Sequence, residues 1–434
     1  MRSTEALILL GVPYFLSAAP RMQTASGGDD AVLIVHSIGV KGNESTKDYI
    51  VLREMETSIG DTLDLTKLDR DKDRIYSLGL FNRVEIDYSA KGSDADLTVQ
   101  VHERWYIYPF PVLGFKYRDF KKVYYGGGFV HTNFRGRNER LLVELGFGYD
   151  RWMQVSYQNP KVTNDDDISV RVGGGWWKLS NLNPDRGMYK QETYSSSLSV
   201  GKRFGLFNLF NVSVGYESWS VSDPAQGRTV SPDGNDAFMS AGAGYSFDSR
   251  DLKEYPTDGY LISVQVSKNG FGGSPVDLFR YGYDLRGYFP VGEMALAVRT
   301  HGLFSSGGAV PQYRYVYFGH GERIRGYFSS IIEGEDIMGG NLELRIPLLS
   351  PRYYEFPYSP IPEFSVWRYA MYAAVFADAG KTWFRSEGFG GRRWYSGAGA
   401  GLHFLLPYSI ILRAEYAVNR HGKGEVVLDL GASF

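Results

Sequence analysis

The sequence predicts a small α+β domain followed by a transmembrane antiparallel β-barrel of about 16 strands. The chain has 434 residues, of which 52 are Gly, 32 Tyr and 26 Phe, yet its mean hydropathy is only −0.27. Strands that alternate lipid-facing apolar residues with lumen-facing polar residues produce this combination. The apolar residues follow a mixed pattern over residues 31–104 and a period of two over residues 105–434, so two regions of different architecture are predicted.

Composition excludes several functions. The net charge is −2, so no bulk attraction to nucleic acid is expected. The absence of Cys excludes disulfides, a thiol nucleophile and Cys-ligated metals. The seven histidines show no metal-binding spacing and no catalytic set is recognisable, so we predict neither an enzyme nor a metal or cofactor site.

The N-terminus is typical of an exported protein. An apolar run from Ala6 to Leu16 is followed by three small residues that end at Ala19. This pattern predicts a secretory signal peptide over residues 1–19, followed by a linker over residues 20–30. An apolar N-terminus without a targeting role is the alternative.

The region 31–104 has the order strand, helix, helix, strand, strand. "AVLIVHSIGV" predicts the first strand, and Ser45 or Thr46 is expected to cap a helix through Leu52. A second helix is predicted to end before Gly79 and to bury one face, formed by Leu65, Leu68, Ile75 and Leu78. "RVEIDY" and "DLTVQV" alternate and predict the last two strands. These elements suffice for one small domain.

The region 105–434 alternates throughout. "SIILRAEYAV" sets Leu412, Tyr416 and Val418 on one face and Arg413 and Glu415 on the other. Such alternation, broken by polar turns, predicts an outer-membrane barrel, with a soluble β-sandwich as the alternative. At about 10 residues per strand plus connections the length suits about 16 strands, and counting leaves 14 or 18 open.

The first region resembles a polypeptide-transport-associated (POTRA) domain. The matching stretches are "GNEST", "IVLRE", "GDTLD", "RIYSLGLFNRVEI" and "LTVQVHER". In the barrel, "NFRGRNERL", "DSRDLKEYPTDGY", "GNLELRIPL" and "FADAG" follow in the same order as in the BamA/TamA/Sam superfamily of outer-membrane assembly and translocation proteins. The chain therefore resembles that family, with one POTRA-like domain where assembly proteins of the BamA type usually have five.

The resemblance implies a functional loop. The family motif matches Ile324, Arg325, Gly326 and Tyr327, which are expected at the tip of a long extracellular loop that folds back into the barrel lumen. By position, the acidic partners of Arg325 on the inner wall are Glu343 and Asp378. An arginine in a barrel interior needs such a carboxylate, because an unpaired buried charge is costly.

The resemblance also draws attention to the two ends of the barrel. On the last strand, expected over Glu425 to Ser433 and containing Gly431, the terminal Phe434 shares a face with Leu428 and Leu430 and resembles a C-terminal sorting signal. The first strand is expected near Phe110 to Tyr117, with Pro109 and Pro111 at its start. Each proline lacks an N–H donor and shortens the pairing between the two strands, so these residues predict a seam that can open.

The function implied is that of an outer-membrane assembly factor that folds and inserts β-barrel proteins through this seam without nucleotide, with its POTRA-like domain in the periplasm. The expected partners are unfolded outer-membrane or secreted client proteins, outer-membrane lipid and accessory periplasmic proteins, and no nucleic acid. A translocation pore for secreted substrates is the alternative. A passive outer-membrane transporter or a barrel enzyme is the alternative of a different class.

Overall fold

The computed structural model describes residues 32–116, 119–163, 166–319, 322–328 and 330–431. The predicted signal peptide and linker, residues 1–30, lie outside the described residues, as do Tyr117 and the terminal Phe434. Among the described residues, no helix has both the length and the apolar character needed to cross a membrane.

An N-terminal domain, residues 32–104, has the predicted element order. Its elements are β1 Ile34–Lys41, α1 Asp48–Leu52, α2 Leu65–Tyr76, β2 Phe81–Lys91 and β3 Asp94–Glu103. The sheet has the order β1-β3-β2, with β1 parallel and β2 antiparallel to the central β3. Ile50, Val51 and Ile75 of the two helices are buried against this sheet.

Two local predictions in this domain are wrong. Neither Ser45 nor Thr46 caps α1: its N-cap is Lys47, without a side-chain hydrogen bond, because the Thr46 hydroxyl donates to Glu103 Oε1 instead (2.6 Å). In the predicted face of α2, Leu68 is buried, but Leu65 is exposed at the first turn. Leu78 lies beyond the last helical residue.

The rest of the chain forms strands β4 to β21, with the following bounds: β4 Ile107–Phe115, β5 Val123–Phe134, β6 Glu139–Gly148, β7 Arg151–Asn159, β8 Ile168–Ser180, β9 Lys190–Phe204, β10 Asn208–Val221, β11 Asn235–Asp248, β12 Gly259–Asn269, β13 Leu278–Val291, β14 Met294–Gly307, β15 Val316–Phe318, β16 Ile332–Gly334, β17 Asp336–Glu355, β18 Val366–Trp383, β19 Tyr395–Leu406, β20 Ile410–Asn419 and β21 Gly424–Leu430. Within the described residues, all except β15 and β16 belong to one 16-stranded sheet of antiparallel neighbours, which confirms the predicted barrel and its strand number.

The two faces of the barrel strands follow the predicted alternation. On β20, Leu412 and Tyr416 are exposed toward the lipid side, whereas Arg413 and Glu415 are buried on the inner side. Apolar residues therefore meet lipid, and charged residues meet one another inside the barrel.

The strands at the two ends of the sheet differ from the predicted bounds. β4 begins at Ile107, so Pro109 and Pro111 lie within the strand, opposite Phe129 and Gly127 of β5, rather than at its start. β21 has seven residues and ends before Gly431. Gly431 has a φ of 109° and leaves the strand direction, although its N–H still donates to the Ile411 carbonyl (2.7 Å).

The N-terminal domain packs against the near end of the barrel, where the turns that follow β5, β7, β9 and β11 lie. The Arg203 guanidinium at the end of β9 donates two hydrogen bonds to the Glu54 carboxylate, at 2.6 and 2.8 Å. The turn after β5 also contacts the domain, and the Lys47 N–H donates to the Gly136 carbonyl (2.9 Å). A Cβ at Gly136 would overlap the Ser45 carbonyl oxygen. The glycine therefore permits this close backbone approach.

Glu54→Gln is expected to loosen the domain from the barrel, because it removes the negative charge that faces Arg203 in a largely buried contact. Losing one partner of a buried pair costs up to roughly 3–5 kcal/mol. Two dyes on cysteines introduced at Ser93 and Tyr358 report the distance between domain and barrel. The matched control Glu56→Gln removes an exposed pair with Arg70 within the domain. An identical distance distribution in all three proteins contradicts the prediction.

Acid is expected to have the same effect as this substitution. Burial raises the pKa of Glu54, but the hydrogen bonds and charge of Arg203 outweigh it and hold that pKa below its ordinary value of 4.5. The contribution of the pair to stability is therefore complete above pH 4.5 and is lost as the pH falls through the lowered pKa. In Glu54→Gln, the distance between the two dyes should therefore not change as the pH is lowered through this range.

Candidate functional site

The connection between β14 and β17 folds into the barrel interior. It carries the short strands β15 and β16, and its apolar side chains form a buried cluster with the wall, made of Phe318, Ile324, Tyr327, Ile332 and Ile337. The Tyr327 ring also contacts the Tyr395 ring edge-on, with centroids 5.2 Å apart. These contacts position Arg325, which lies between Ile324 and Tyr327 in the sequence, against the inner wall.

Arg325 binds three carboxylates from three strands. Its Nε and Nη2 donate to the two oxygens of Asp378 on β18, at 2.7 and 2.8 Å. Its Nη1 donates to Glu343 on β17 at 2.6 Å and to Glu415 on β20 at 3.1 Å. The guanidinium lies 3.6 Å from the centre of the Phe376 ring. Arg325 is 7% exposed, so these bonds form away from bulk water and fix the loop tip.

Further polar side chains hold the same carboxylates in place. Arg345 Nε donates to Glu343 Oε1 at 2.9 Å, and His403 Nε2 lies 3.1 Å from Glu415 Oε1. The other ring nitrogen of His403 lies 2.8 Å from the hydroxyl of Tyr255, which comes from the turn after β11. The network therefore extends from the loop tip to the near end of the barrel.

Two glycines, one in the loop and one in the barrel wall, allow the loop backbone to lie close to the wall. Gly326 has a φ of 94°, and its carbonyl accepts a hydrogen bond from the Asn419 side chain (3.1 Å). A Cβ at Gly397 of β19 would overlap the carbonyl oxygen of Arg325. The loop therefore lies where the wall has no side chain.

The loop also contacts the last strand. Arg323 forms an ion pair with Asp429 of β21, and Asp429 accepts a second hydrogen bond from Arg413 of β20 at 2.7 Å. The Phe328 N–H donates to the Glu425 carboxylate, also on β21, at 2.8 Å. The loop thus fixes β21 through its inward-facing side chains.

Among the residues expected at the loop site, Ile324, Arg325, Gly326 and Tyr327 lie together, and Arg325 contacts both Glu343 and Asp378. Leu428 and Leu430 lie elsewhere, on the exposed outer face of β21.

The sequence reasoning missed three acidic loop partners, Glu415, Glu425 and Asp429, and the amide of Asn419. The alternation of β20 had placed Glu415 on the inner face. Its meeting with Arg325 depends on how the loop folds, which the alternation does not give.

Glu343, His403 and Glu415 form a group that could hold a metal ion, since their ligand atoms lie within 4.8 Å of one another. The guanidinium of Arg325 bonds to two of these three side chains and supplies the positive charge that a metal would bring. In the described structure, two members of this group bind the loop.

Comparison with protein families identifies the chain. A model of the Omp85 superfamily domain matches residues 133–434. The chain belongs to the Omp85 superfamily. A second family model, for the POTRA domain described as a surface antigen variable number repeat, matches residues 33–104.

Two curated relatives are outer membrane protein assembly factors named BamA. The one from Nitratidesulfovibrio vulgaris is 26% identical over 321 residues, which are 71% of this chain and 39% of that protein. The one from Neorickettsia risticii is 25% identical over 346 residues, 73% of this chain and 45% of that protein. The chain thus spans less than half the length of these Omp85 relatives.

Solved structures share the fold. BamA from Haemophilus ducreyi lacking POTRA domains 1–3 matches with a TM-score of 0.55 and 19% identity, over 92% of this chain and 83% of that one. CdiB from Escherichia coli matches with a TM-score of 0.56 and 12% identity, over 92% and 75%. This Omp85 protein is an outer-membrane protein whose POTRA domain, the N-terminal domain described above, lies in the periplasm.

Arg325→Ala is expected to release the loop from the lumen of a barrel that still forms, because it leaves three buried carboxylates without their shared cation. The loss is roughly 3–5 kcal/mol for a fully desolvated pair and less in a wet lumen. Protease cleavage between β14 and β17 in the intact protein measures the release. The control Arg70→Ala removes an exposed pair and should change little. Equal cleavage of Arg325→Ala and wild type contradicts the prediction.

Gly397→Ala tests the same docking with every charge retained. The added Cβ overlaps the Arg325 carbonyl oxygen, so the loop should become as cleavable as in Arg325→Ala. The matched control is Gly340→Ala, where the nearest atom to the new Cβ, the Arg299 carbonyl oxygen, is 3.3 Å away. If both glycine variants resist cleavage like wild type, the close fit between loop and wall is unimportant.

Proposed function

We propose that this protein folds and inserts β-barrel proteins into the outer membrane through a lateral seam between β4 and β21. Its clients are unfolded outer-membrane proteins, received with the help of accessory periplasmic proteins and of the surrounding lipid. The names of the BamA relatives support assembly as the activity. The proposed process uses no nucleotide and no catalytic residue, because a strand entering lipid gains its missing backbone hydrogen bonds as it pairs.

The observation that carries the proposal is the construction of the two end strands. β4 contains Pro109 and Pro111, which provide no N–H for pairing. β21 is seven residues long, and its outward-facing Val426, Leu428 and Leu430 are 72, 72 and 69% exposed. A seam between such strands has few backbone hydrogen bonds, each worth about 0.5–1.5 kcal/mol in water and more in lipid.

The luminal loop gives this seam a control element. Arg323 and the Phe328 N–H bind Asp429 and Glu425 on the inner side of β21. While the loop is docked, β21 is fixed from inside. When Arg325 leaves its carboxylates, β21 loses these contacts and can pair with a client strand by edge addition.

The POTRA domain provides the first binding surface. Its three-stranded sheet has β1 and β2 as edge strands, and an exposed edge pairs with an extended segment through backbone bonds that do not depend on sequence. A client strand held there lies close to the periplasmic end of the seam. The Arg203–Glu54 contact keeps the domain at that end.

Depletion of the protein distinguishes this function from its rivals. Loss of many outer-membrane barrel proteins is expected for an insertase. Loss of one secreted substrate, with barrel proteins unchanged, favours a translocation pore. Normal levels of both, with loss of uptake of a solute, favour a passive transporter.

A disulfide across the seam is expected to block insertion of client barrels, and a reductant to restore it. The chain has no native Cys, so a cysteine at Leu428 can be paired in turn with one at Val112, Leu113 or Gly114 to scan the register. The matched control pairs Leu428→Cys with Ala414→Cys, its partner on β20, where a bond should leave activity intact. Full client assembly by efficiently crosslinked seam protein rejects the lateral seam.

A further inference from the structure

A cleft of about 280 Å³ lies between the POTRA domain and the periplasmic turns of the barrel. It is lined by five cationic side chains: Arg53, Arg74, Arg203, Arg250 and Lys253. It is also lined by three carboxylates: Glu54, Asp167 and Asp248. The charged lining therefore has an excess of two positive charges.

Each of the three carboxylates has another cation beside it, and for Asp167 this is the Lys161 ammonium, 3.2 Å away. The Glu54 carboxylate accepts one hydrogen bond from each Nη atom of Arg203, at 2.6 and 2.8 Å. The Asp248 carboxylate receives two bonds from Arg250, at 2.8 and 2.9 Å. Each of these two arginine pairs is bidentate, the geometry in which a guanidinium satisfies one carboxylate.

Arg53 is left with incomplete partners, whereas Arg74 Nε and Nη2 donate to the backbone carbonyls of Glu54 (2.9 Å) and Leu206 (3.4 Å). Arg53 Nε lies 3.5 Å from Glu54, and its Nη2 lies 3.7 Å from Asp167. Arg74 Nη2 lies 3.6 Å from Glu54. The Arg53 side chain is only 12% exposed, and its Nε is buried without a hydrogen-bond partner among the described residues. A buried guanidinium N–H without an acceptor is costly.

The pKa shifts of Arg53 and Arg74 are consistent with these incomplete contacts. Burial lowers the pKa of Arg53 and of Arg74, and the neighbouring Arg203 cation lowers them further, against the opposing effect of Glu54. The charged forms of these two POTRA residues are thus less stabilised here than in water.

We propose that this cleft is a binding site for an oxyanion of the phosphate class. Arginine forks match the oxygens of phosphate and bind them in pairs, and at about 30 Å³ per water the cavity has room for such an ion with part of its hydration shell. The bound anion contacts Arg53 and Arg74 from the POTRA domain and Lys253 from the turn after β11. It therefore strengthens the attachment of the domain to the barrel, and it does so independently of insertase activity.

Calorimetric titration and thermal unfolding of the full chain in detergent test the site, with inorganic phosphate as the probe at constant ionic strength. Arg53→Gln should weaken phosphate binding by roughly tenfold or more, as expected for loss of a charge-assisted hydrogen bond. Arg53→Lys keeps the charge, guards against a folding defect and should bind with intermediate affinity. Arg70→Gln removes an exposed cation of the same domain that does not line the cleft, and this variant should bind phosphate like wild type.

The source of the phosphate group is tested by a second arm. Nanodiscs of phosphatidylglycerol or of phosphatidylcholine replace the detergent. A response to inorganic phosphate that Arg53→Gln removes supports a site for the free ion. A response to phosphatidylglycerol alone, removed by the same variant, supports a lipid headgroup. No response to either probe, or a response that Arg53→Gln leaves unchanged or that Arg70→Gln also removes, overturns the proposal.

Discussion

The interior of this barrel depends on one cation, the guanidinium of Arg325. Glu343, Asp378 and Glu415 lie on three strands of the inner wall and point at one place. Without Arg325 their charges repel one another where water screens them poorly, and the repulsion acts across the strands that hold them. The loop is therefore part of the barrel structure, and its position is set by the wall that it neutralises.

The ion pairs around Arg325 extend to the last strand, β21. Around Arg325 the ion pairs join four arginines to four carboxylates, the arginines being Arg323, Arg325, Arg345 and Arg413 and the carboxylates Glu343, Asp378, Glu415 and Asp429. The network is thus neutral as a whole, and β21 belongs to it through Asp429. A barrel normally fixes its last strand by backbone pairing. Here side chains of a distant loop share that role. The backbone N–H and C=O groups along the edge of β21 are then available for pairing.

The sequence predicted what depends on local periodicity. A period of two gave the faces of β20, because successive residues of a strand point to opposite sides of the wall, and the length of the region gave about 16 strands with 14 or 18 left open. The family motif gave Arg325 with Glu343 and Asp378. Glu415 could not be paired with Arg325 from the pattern, since 90 residues separate them and only the fold of the loop brings them together. Leu65 was misassigned because a first helical turn can lie beyond the edge of the sheet that α2 covers. Pro109 and Pro111 were placed at a strand start, although an edge strand tolerates proline within it.

The long sequence separations within the Arg325 cluster have a consequence for the protein's own folding. The Arg325 side chain contacts residues 18, 53 and 90 positions away, and closing such loops is entropically costly before any contact forms. Strands β17 to β20 must stand side by side before the cluster has a wall to bind. Docking of the loop therefore has to follow the pairing of these strands, and until it docks Glu343, Asp378 and Glu415 face the lumen without Arg325.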